Sequence, residues 1–271
     1  LLASKRSLQF FLVQRAGYAK LLQSEVVSES FINVSGQVAV ITGGSRGLGF
    51  AAAQMLGHAG ATVIVLGKSL DTAESASERL VEMGIDAVPL AVDVSDAAAV
   101  QQTLGTHALA TQAEILINSA GVMSARMSKT LRTTTDEWQR VMGTNLDGVI
   151  NVTSVIAPHM AERRSGRIIN VSACLGRFSG PGLAGGLAPY RVSKAAVNAF
   201  TKNLAAELGN GSRGVLVDAM CPNHSRTDMG GADAPRSAEK GAETMVWLAM
   251  RELHEGIQTG VLWEDHQIIP W

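Results

Sequence analysis

The sequence predicts a single doubly wound α/β domain on a seven-stranded parallel sheet, and three observations carry that expectation. From residue 36 onward, apolar runs of strand length alternate with longer amphipathic stretches, the pattern of a sheet covered by helices on both faces. The first such run turns into the first amphipathic stretch through a glycine-rich segment, TGGSRGLG at 42–49. No break in composition divides the 271 residues, of which 46% are hydrophobic, and that supports one large core rather than two small ones.

Strands are expected at 37–42 (QVAVIT), 62–67 (TVIVLG), 87–92 (AVPLAV) and 114–120 (EILINSA). Three more follow at 167–173 (RIINVSA), 215–221 (VLVDAMC) and 260–265 (GVLWED). These runs are rich in valine, isoleucine and leucine without strict alternation, as strands buried on both faces require. Helical periodicity places helices at 47–58, 71–83, 96–110, 136–162, 190–209 and 238–251. The glycine- and proline-rich stretches 172–189 and 222–237 follow strands, and in a doubly wound sheet ligands sit at the carboxyl ends of strands. These loops are therefore the expected walls of a substrate site.

Residues 1–35 differ from the rest. Lys5, Arg6, Arg15 and Lys20 precede any acidic residue, and Leu8, Phe11, Leu12, Ala19, Leu22 and Val26 follow helical spacing. A basic amphipathic arm of this kind is typical of an organelle-import segment. Mitochondrial import is the leading expectation, with plastid import and a docking arm on a cytoplasmic protein as alternatives. No apolar run reaches the roughly 18 residues of a membrane-spanning helix. Net charge is −1 with scattered basic residues, so no footprint for nucleic acid is expected. The two cysteines, Cys174 and Cys221, and the six histidines lack metal-ligand spacing, and no metal is expected.

In TGGSRGLG, Gly43 permits a tight turn, Gly47 lets backbone approach a pyrophosphate and Gly49 allows close helix packing, while the helix N-terminus offers N–H groups to phosphate. This is the opening of a dinucleotide-binding, or Rossmann, fold. Lys68, closing the second strand in LGKS, stands where an NAD enzyme carries an acid for the ribose 2′-hydroxyl. With Arg46 it would attract a 2′-phosphate, so NADP(H) is the expected cofactor. Asp93 after the third strand is placed either to bond adenine or to cap the next helix, for which Ser95 is the better cap. NSAG, Asn118 to Gly121, ends the fourth strand with small residues where backbone would run against the cofactor. YRVSK puts Tyr190 and Lys194 four apart on one helix face. A phenol of ordinary pKa about 10 becomes a useful acid-base group when an ammonium beside it favours the phenolate.

With TGGSRGLG, NSAG, TNLDG, YRVSK and TDMGG in this order, residues 36–271 resemble the short-chain dehydrogenase/reductase family, and within it the carbonyl-reductase-like members. The resemblance implies Tyr190 as proton donor or acceptor, Lys194 on the nicotinamide ribose, Asn145 behind a water in a proton relay, and Thr227 at the nicotinamide. It further implies that Thr42, Ser45, Leu48, Val94, Asn118, Ala120, Gly121 and Pro222 lie against the cofactor. Such folds pair through the helices at 136–162 and 190–209, so a homo-oligomer or a larger assembly is expected.

Three residues depart from the family pattern. The serine that binds the substrate oxygen falls at Ala173, and Ser172 points to the opposite face unless a bulge intervenes; Ser172 is a catalytic candidate only on that condition. Asn223 replaces a glycine after CP, and Ser119 a second asparagine. Two readings follow: an NADP(H)-dependent oxidoreductase of a carbonyl or secondary alcohol with a weakened site, or a pseudoenzyme serving as scaffold or accessory subunit of an organellar assembly.

Overall fold

The structure, a computed structural model, describes residues 32–124 and 129–271. The first 31 residues of the basic arm lie outside the described residues. The strands are β1 (Val38–Thr42), β2 (Thr62–Gly67), β3 (Ala87–Ala91), β4 (Ile115–Asn118), β5 (Gly166–Val171), β6 (Val215–Met220), β7 (Leu262–Glu264) and β8 (Gln267–Ile269). They form one sheet in the order β3-β2-β1-β4-β5-β6-β7-β8. The first seven are mutually parallel, and β8 runs antiparallel to β7, with Leu262 opposite Ile269.

The eighth strand was not expected from sequence. Asp265 and His266 both adopt positive φ, 50° and 63°, the backbone of a two-residue hairpin turn that glycine or asparagine ordinarily marks. Neither residue announces it.

Helices α1 (Gly47–His58), α2 (Leu70–Glu82) and α8 (Ala238–Met250) cover one face of the sheet. Helices α3 (Ala97–Gly105), α4 (Ala108–Thr111), α6 (Gly148–Arg163) and α7 (Ala188–Glu207) lie on the other side, and α5 (Thr135–Met142) precedes α6. Strand alternation builds the two cores. Ala39, Ile41, Val63, Val65, Ile115 and Ile117 face α1 and α8, whereas Val38, Val40, Ile64, Leu66 and Leu116 face α3 and α6. Both sides of each central strand are dry, which is why their sequences read as continuous apolar runs.

Two expected helices are interrupted. The helix at 96–110 divides into α3 and α4, because His107 caps the second through Nδ1, which accepts from the Ala110 amide at 3.3 Å. Its N-cap is Asp96, whose carboxylate accepts from the Ala99 amide at 3.0 Å, and not Ser95. The helix at 136–162 is broken by a π turn, Gly143–Asp147, between α5 and α6. Such turns insert an extra residue and favour functional sites; this one carries Asn145.

Strand order reverses between β1 and β4, and the cleft opens there, as doubly wound sheets dictate. Thr42 and Asn118 are register partners across this gap. The Asn118 Nδ2 donates to Thr153 Oγ1 (3.0 Å) and Asn170 Oδ1 (2.8 Å), and Asn170 Nδ2 donates to Thr201 Oγ1 (2.9 Å). This buried chain ties β4 and β5 to α6 and α7, the helices that flank the catalytic candidates.

Candidate active site

The glycine loop turns from β1 into α1 with Gly43 and Gly47 at φ 64° and 55°. A Cβ on Gly49 would stand 2.4 Å from the Gly43 carbonyl oxygen, so only glycine lets the first turn of α1 close on the loop. Arg46, the N-cap, gives no side-chain cap, and the first turn of α1 has no acid. The helix terminus therefore keeps its partial positive charge for an anion. The loop walls a cleft of about 630 Å³ that runs from the end of β2 past the ends of β1 and β4 to Thr227 and Met229.

At the outer end of this cleft, Lys68 Nζ lies 2.7 Å from Asp93 Oδ2. Asp93 also accepts from the Ser95 amide and hydroxyl, at 3.0 and 2.7 Å. The hydrogen bond from Lys68, followed by those from Ser95, holds its carboxyl well below the usual range, at about 2. Arg46 reaches across the cleft to Asp228, Nη1 to Oδ2 2.6 Å, with both side chains exposed. The two basic residues read from sequence thus share one cleft, and each already holds a carboxylate.

The inner end is built on α7 and the π turn. Pro189 sits in the first turn of α7, where its missing N–H costs nothing, and Tyr190 and Lys194 follow on the buried face. A Cβ on Gly121 would lie 3.4 Å from Asn145 Oδ1, 3.8 Å from Lys194 Nζ and 3.9 Å from Met229 Cε, so these three groups converge beside the β4 end. Asn145 accepts from the Val122 amide (2.7 Å) and donates to the Val122 carbonyl and Ser193 Oγ (3.0 Å each). Lys194 donates to the Val171 carbonyl at 2.7 Å and stands 5.8 Å from the Tyr190 ring centre.

Burial pushes the Lys194 ammonium down to about 8. It pushes the Tyr190 phenol up from its ordinary value, with Cys221 and Cys174 adding to the same direction. The expected depression of the phenol by Lys194 is therefore not what this geometry produces. A buried phenol held in its neutral form is a proton donor rather than a ready base.

The β5 terminus corrects one catalytic candidate. Ser172 is buried, its Oγ donating to Asn198 Oδ1 at 2.5 Å with the Lys194 carbonyl at 3.3 Å. No bulge redirects it, and strand alternation turns it into α7 and away from the reaction side. Ala173 takes the other face and packs with Tyr190, Leu187 and Val141. A methyl group thus stands beside the tyrosine, as the strand alternation predicted.

Of the residues expected to meet the cofactor, Gly43, Ser45, Arg46, Gly47, Leu48, Gly49, Lys68, Asp93, Val94, Ala120, Gly121 and Thr227 line the cleft. Thr42, Asn118, Pro222, Tyr190 and Lys194 do not, the last two being buried beside its inner end. Thr42 is buried, its Oγ1 accepting from the Ser119 and Ala120 amides at 3.0 and 2.9 Å, which shapes the β4 end. Asn118 serves the buried chain to Asn170, and the Pro222 carbonyl accepts from Ser225 Oγ at 2.9 Å. Asn223 holds φ at 56°, the left-handed conformation that asparagine tolerates.

Sequence reasoning missed Asp228, Met229, Ser193 and Arg191. Arg191 donates to the carbonyls of Leu175, Pro181, Gly182 and Gly186, gathering the loop 172–189 onto α7. Its place inside YRVSK was the available signal. Among the described residues no group of three potential metal ligands occurs, and no helix is long and apolar enough to cross a membrane.

Sequence and fold comparisons agree with this geometry. The short chain dehydrogenase family profile matches residues 37–238. A 3-oxoacyl-[acyl-carrier-protein] reductase of Vibrio harveyi is 36% identical over 199 residues, covering 73% of this chain and 77% of its own. A solved 3-oxoacyl-[acyl-carrier protein] reductase of Brucella melitensis with bound NAD is 28% identical at a TM-score of 0.71, covering 88% of this chain and 94% of its own. A gluconate 5-dehydrogenase of Burkholderia cenocepacia in complex with NADP and tartrate is 26% identical at a TM-score of 0.71, covering 80% and 89%. The chain belongs to the short-chain dehydrogenase/reductase family of oxidoreductases.

Proposed function

We propose that the protein is an NADP(H)-dependent reductase of a carbonyl compound, working with a weakened site. The observation that carries the cofactor choice is Lys68 at the end of β2, lining the cleft with Arg46, where an NAD enzyme needs a carboxylate. The cleft suits a dinucleotide: positive-φ glycines crowd its floor, and the α1 terminus faces it with no capping side chain. NADPH, when bound, would supply the hydride. Gly47, Leu48 and the α1 terminus would hold its pyrophosphate, and Lys68 its 2′-phosphate, exchanging Asp93 for the new anion.

Tyr190, kept protonated by burial, would give its proton to the substrate oxygen. Lys194, charged at neutral pH, would hold the nicotinamide ribose. With Ala173 in place of a hydroxyl, the substrate oxygen would meet one donor fewer, an omission that costs about 10²- to 10³-fold in rate elsewhere. The relatives named for a 3-oxoacyl-[acyl-carrier-protein] make a 3-oxoacyl thioester the first carbonyl to test.

The second reading, a cofactor-holding pseudoenzyme or accessory subunit in a mitochondrial assembly, draws on Ala173 beside Tyr190 and on the basic arm of residues 1–35. Calorimetric titration separates the cofactor claims. NADPH should bind at least about tenfold tighter than NADH, the lower end of what a bond to a charged group contributes, and Lys68→Asp should abolish the preference. Equal or tighter binding of NADH by the unaltered protein would overturn the cofactor assignment. With NADPH bound, absence of turnover on a 3-oxoacyl thioester and a broader carbonyl panel would favour the pseudoenzyme.

A further inference from the structure

The carboxyl ends of β5 and β6 each carry one cysteine, and the chemistry above uses neither. Val171 and Met220 are register partners, and the Ser172 amide donates to the Met220 carbonyl at 2.7 Å, so the chain leaves both strands side by side. Cys174 opens a 3-10 turn, Cys174–Gly176, in the loop that follows β5. Cys221 directly follows β6, leading into the loop 222–237. The Cys174 amide donates to Cys221 Sγ at 3.0 Å and the Asn223 amide to the same sulfur at 3.4 Å. Both thiols are free, Cys221 buried and Cys174 half-buried, and each is the strongest influence on the other's ionisation.

A disulfide needs Cα atoms about 4.4–6.8 Å apart. The Cys221 sulfur lies 3.0 Å from the backbone nitrogen of Cys174 itself, so the two cysteines stand on adjoining backbones, the arrangement such a bridge requires. We propose that Cys174 and Cys221 are a redox-active thiol pair in which a low-molecular-weight hydroperoxide oxidises Cys174 and Cys221 then closes a disulfide across the ends of β5 and β6.

The Cys174 thiolate attacks the terminal peroxide oxygen. The O–O bond breaks, an alcohol or water leaves with a proton, and Cys174 becomes a sulfenic acid. Cys221 sulfur then attacks Cys174 sulfur. The S–O bond breaks, and water departs with the Cys221 proton. Two thiols and one hydroperoxide yield one disulfide, one alcohol or water, and one further water; the peroxide gains the two electrons that the sulfurs lose. The Cys221 thiol beside Cys174 lowers the latter's pKa against the opposing effect of burial, the direction that favours an attacking thiolate. The cross-link would join the loop after β5 to the loop after β6, which carries Thr227, Asp228 and Met229 into the cleft.

The test is covalent and therefore independent of the proposed carbonyl reduction. Full-length protein, dilute and fully reduced, is treated with stoichiometric hydrogen peroxide, alkylated, digested without reductant and weighed by mass spectrometry. The expected product is one species joining the Cys174 and Cys221 peptides, lighter by two hydrogens than their sum and reversed by dithiothreitol. Cys221→Ser should leave a sulfenic acid on Cys174 that dimedone traps, and Cys174→Ser should leave Cys221 unmodified. Recovery of both cysteines as alkylated thiols, or of Cys174 as sulfinic acid beside a reduced Cys221, would overturn the proposal.

Discussion

Ala173→Ser adds one hydroxyl beside Tyr190, and the geometry sets what it should do. Ala173 is 8% exposed and packed with Tyr190, Leu187 and Val141, so a new oxygen has the phenol as its polar neighbour and apolar side chains elsewhere. If that oxygen restores the missing donor to the substrate, kcat with NADPH and a turned-over carbonyl should rise by about 10²- to 10³-fold, or about 2.7–4 kcal/mol of transition-state stabilisation. Without substrate, a hydroxyl in this cluster is imperfectly paired, and stability should fall by about 1–3 kcal/mol. Steady-state NADPH oxidation and urea denaturation measure the two effects on one preparation. Ser172→Ala is the control. Its hydroxyl serves Asn198 and not the cleft, so kcat should hold while stability falls by about 1–3 kcal/mol, because Asn198 loses a buried partner. A gain in kcat below about threefold for Ala173→Ser, or a Ser172→Ala loss as large as that expected at a catalytic hydroxyl, would refute the assignment of faces.

Two further outcomes rest on buried charge. Lys194 should titrate near 8 in the folded, cofactor-free protein, read from the 13C shift of its ε-carbon. Between about 8 and the ordinary lysine value the unfolded chain binds a proton that the folded chain has released, so this group makes stability rise with pH across that window; a midpoint above 10 would contradict the burial argument. Arg251 is 1% exposed, pairs with Asp218 at 3.3 Å and stacks against Trp247 and Trp263. Arg251→Met should cost about 3–5 kcal/mol in urea denaturation by removing the paired cation of buried Asp218, which keeps the Thr259 hydroxyl at 3.4 Å, and Arg251→Met with Asp218→Asn should recover part of that loss.

The strands and helices were legible because periodicity is written in neighbouring residues. VAVIT and TVIVLG are dry on both faces and read as unbroken apolar runs, and the i, i+4 spacing of Tyr190 and Lys194 needs only a helix to put them together. The same local logic separated Ser172 from Ala173, since adjacent residues on a strand cannot face the same way. It did not foresee the π turn at Gly143–Asp147, because an extra residue in a helix leaves no compositional mark, nor β8, whose turn is made by Asp265 and His266 rather than glycine.

What the sequence by itself determined was the doubly wound frame, the glycine loop and the order of chemistry-bearing segments around one cleft. Only the tertiary structure decided which charges and thiols meet: Arg46 with Asp228, 182 residues apart, Lys68 with Asp93, and Cys174 with Cys221, 47 residues apart. It also decided that burial, rather than the neighbouring ammonium, governs the Tyr190 phenol. The physical reason is the same in each case. Periodicity is a property of adjacent residues, whereas a pairing between loops, and the solvent left around a side chain, exist only once strand order and helix packing have brought distant segments together.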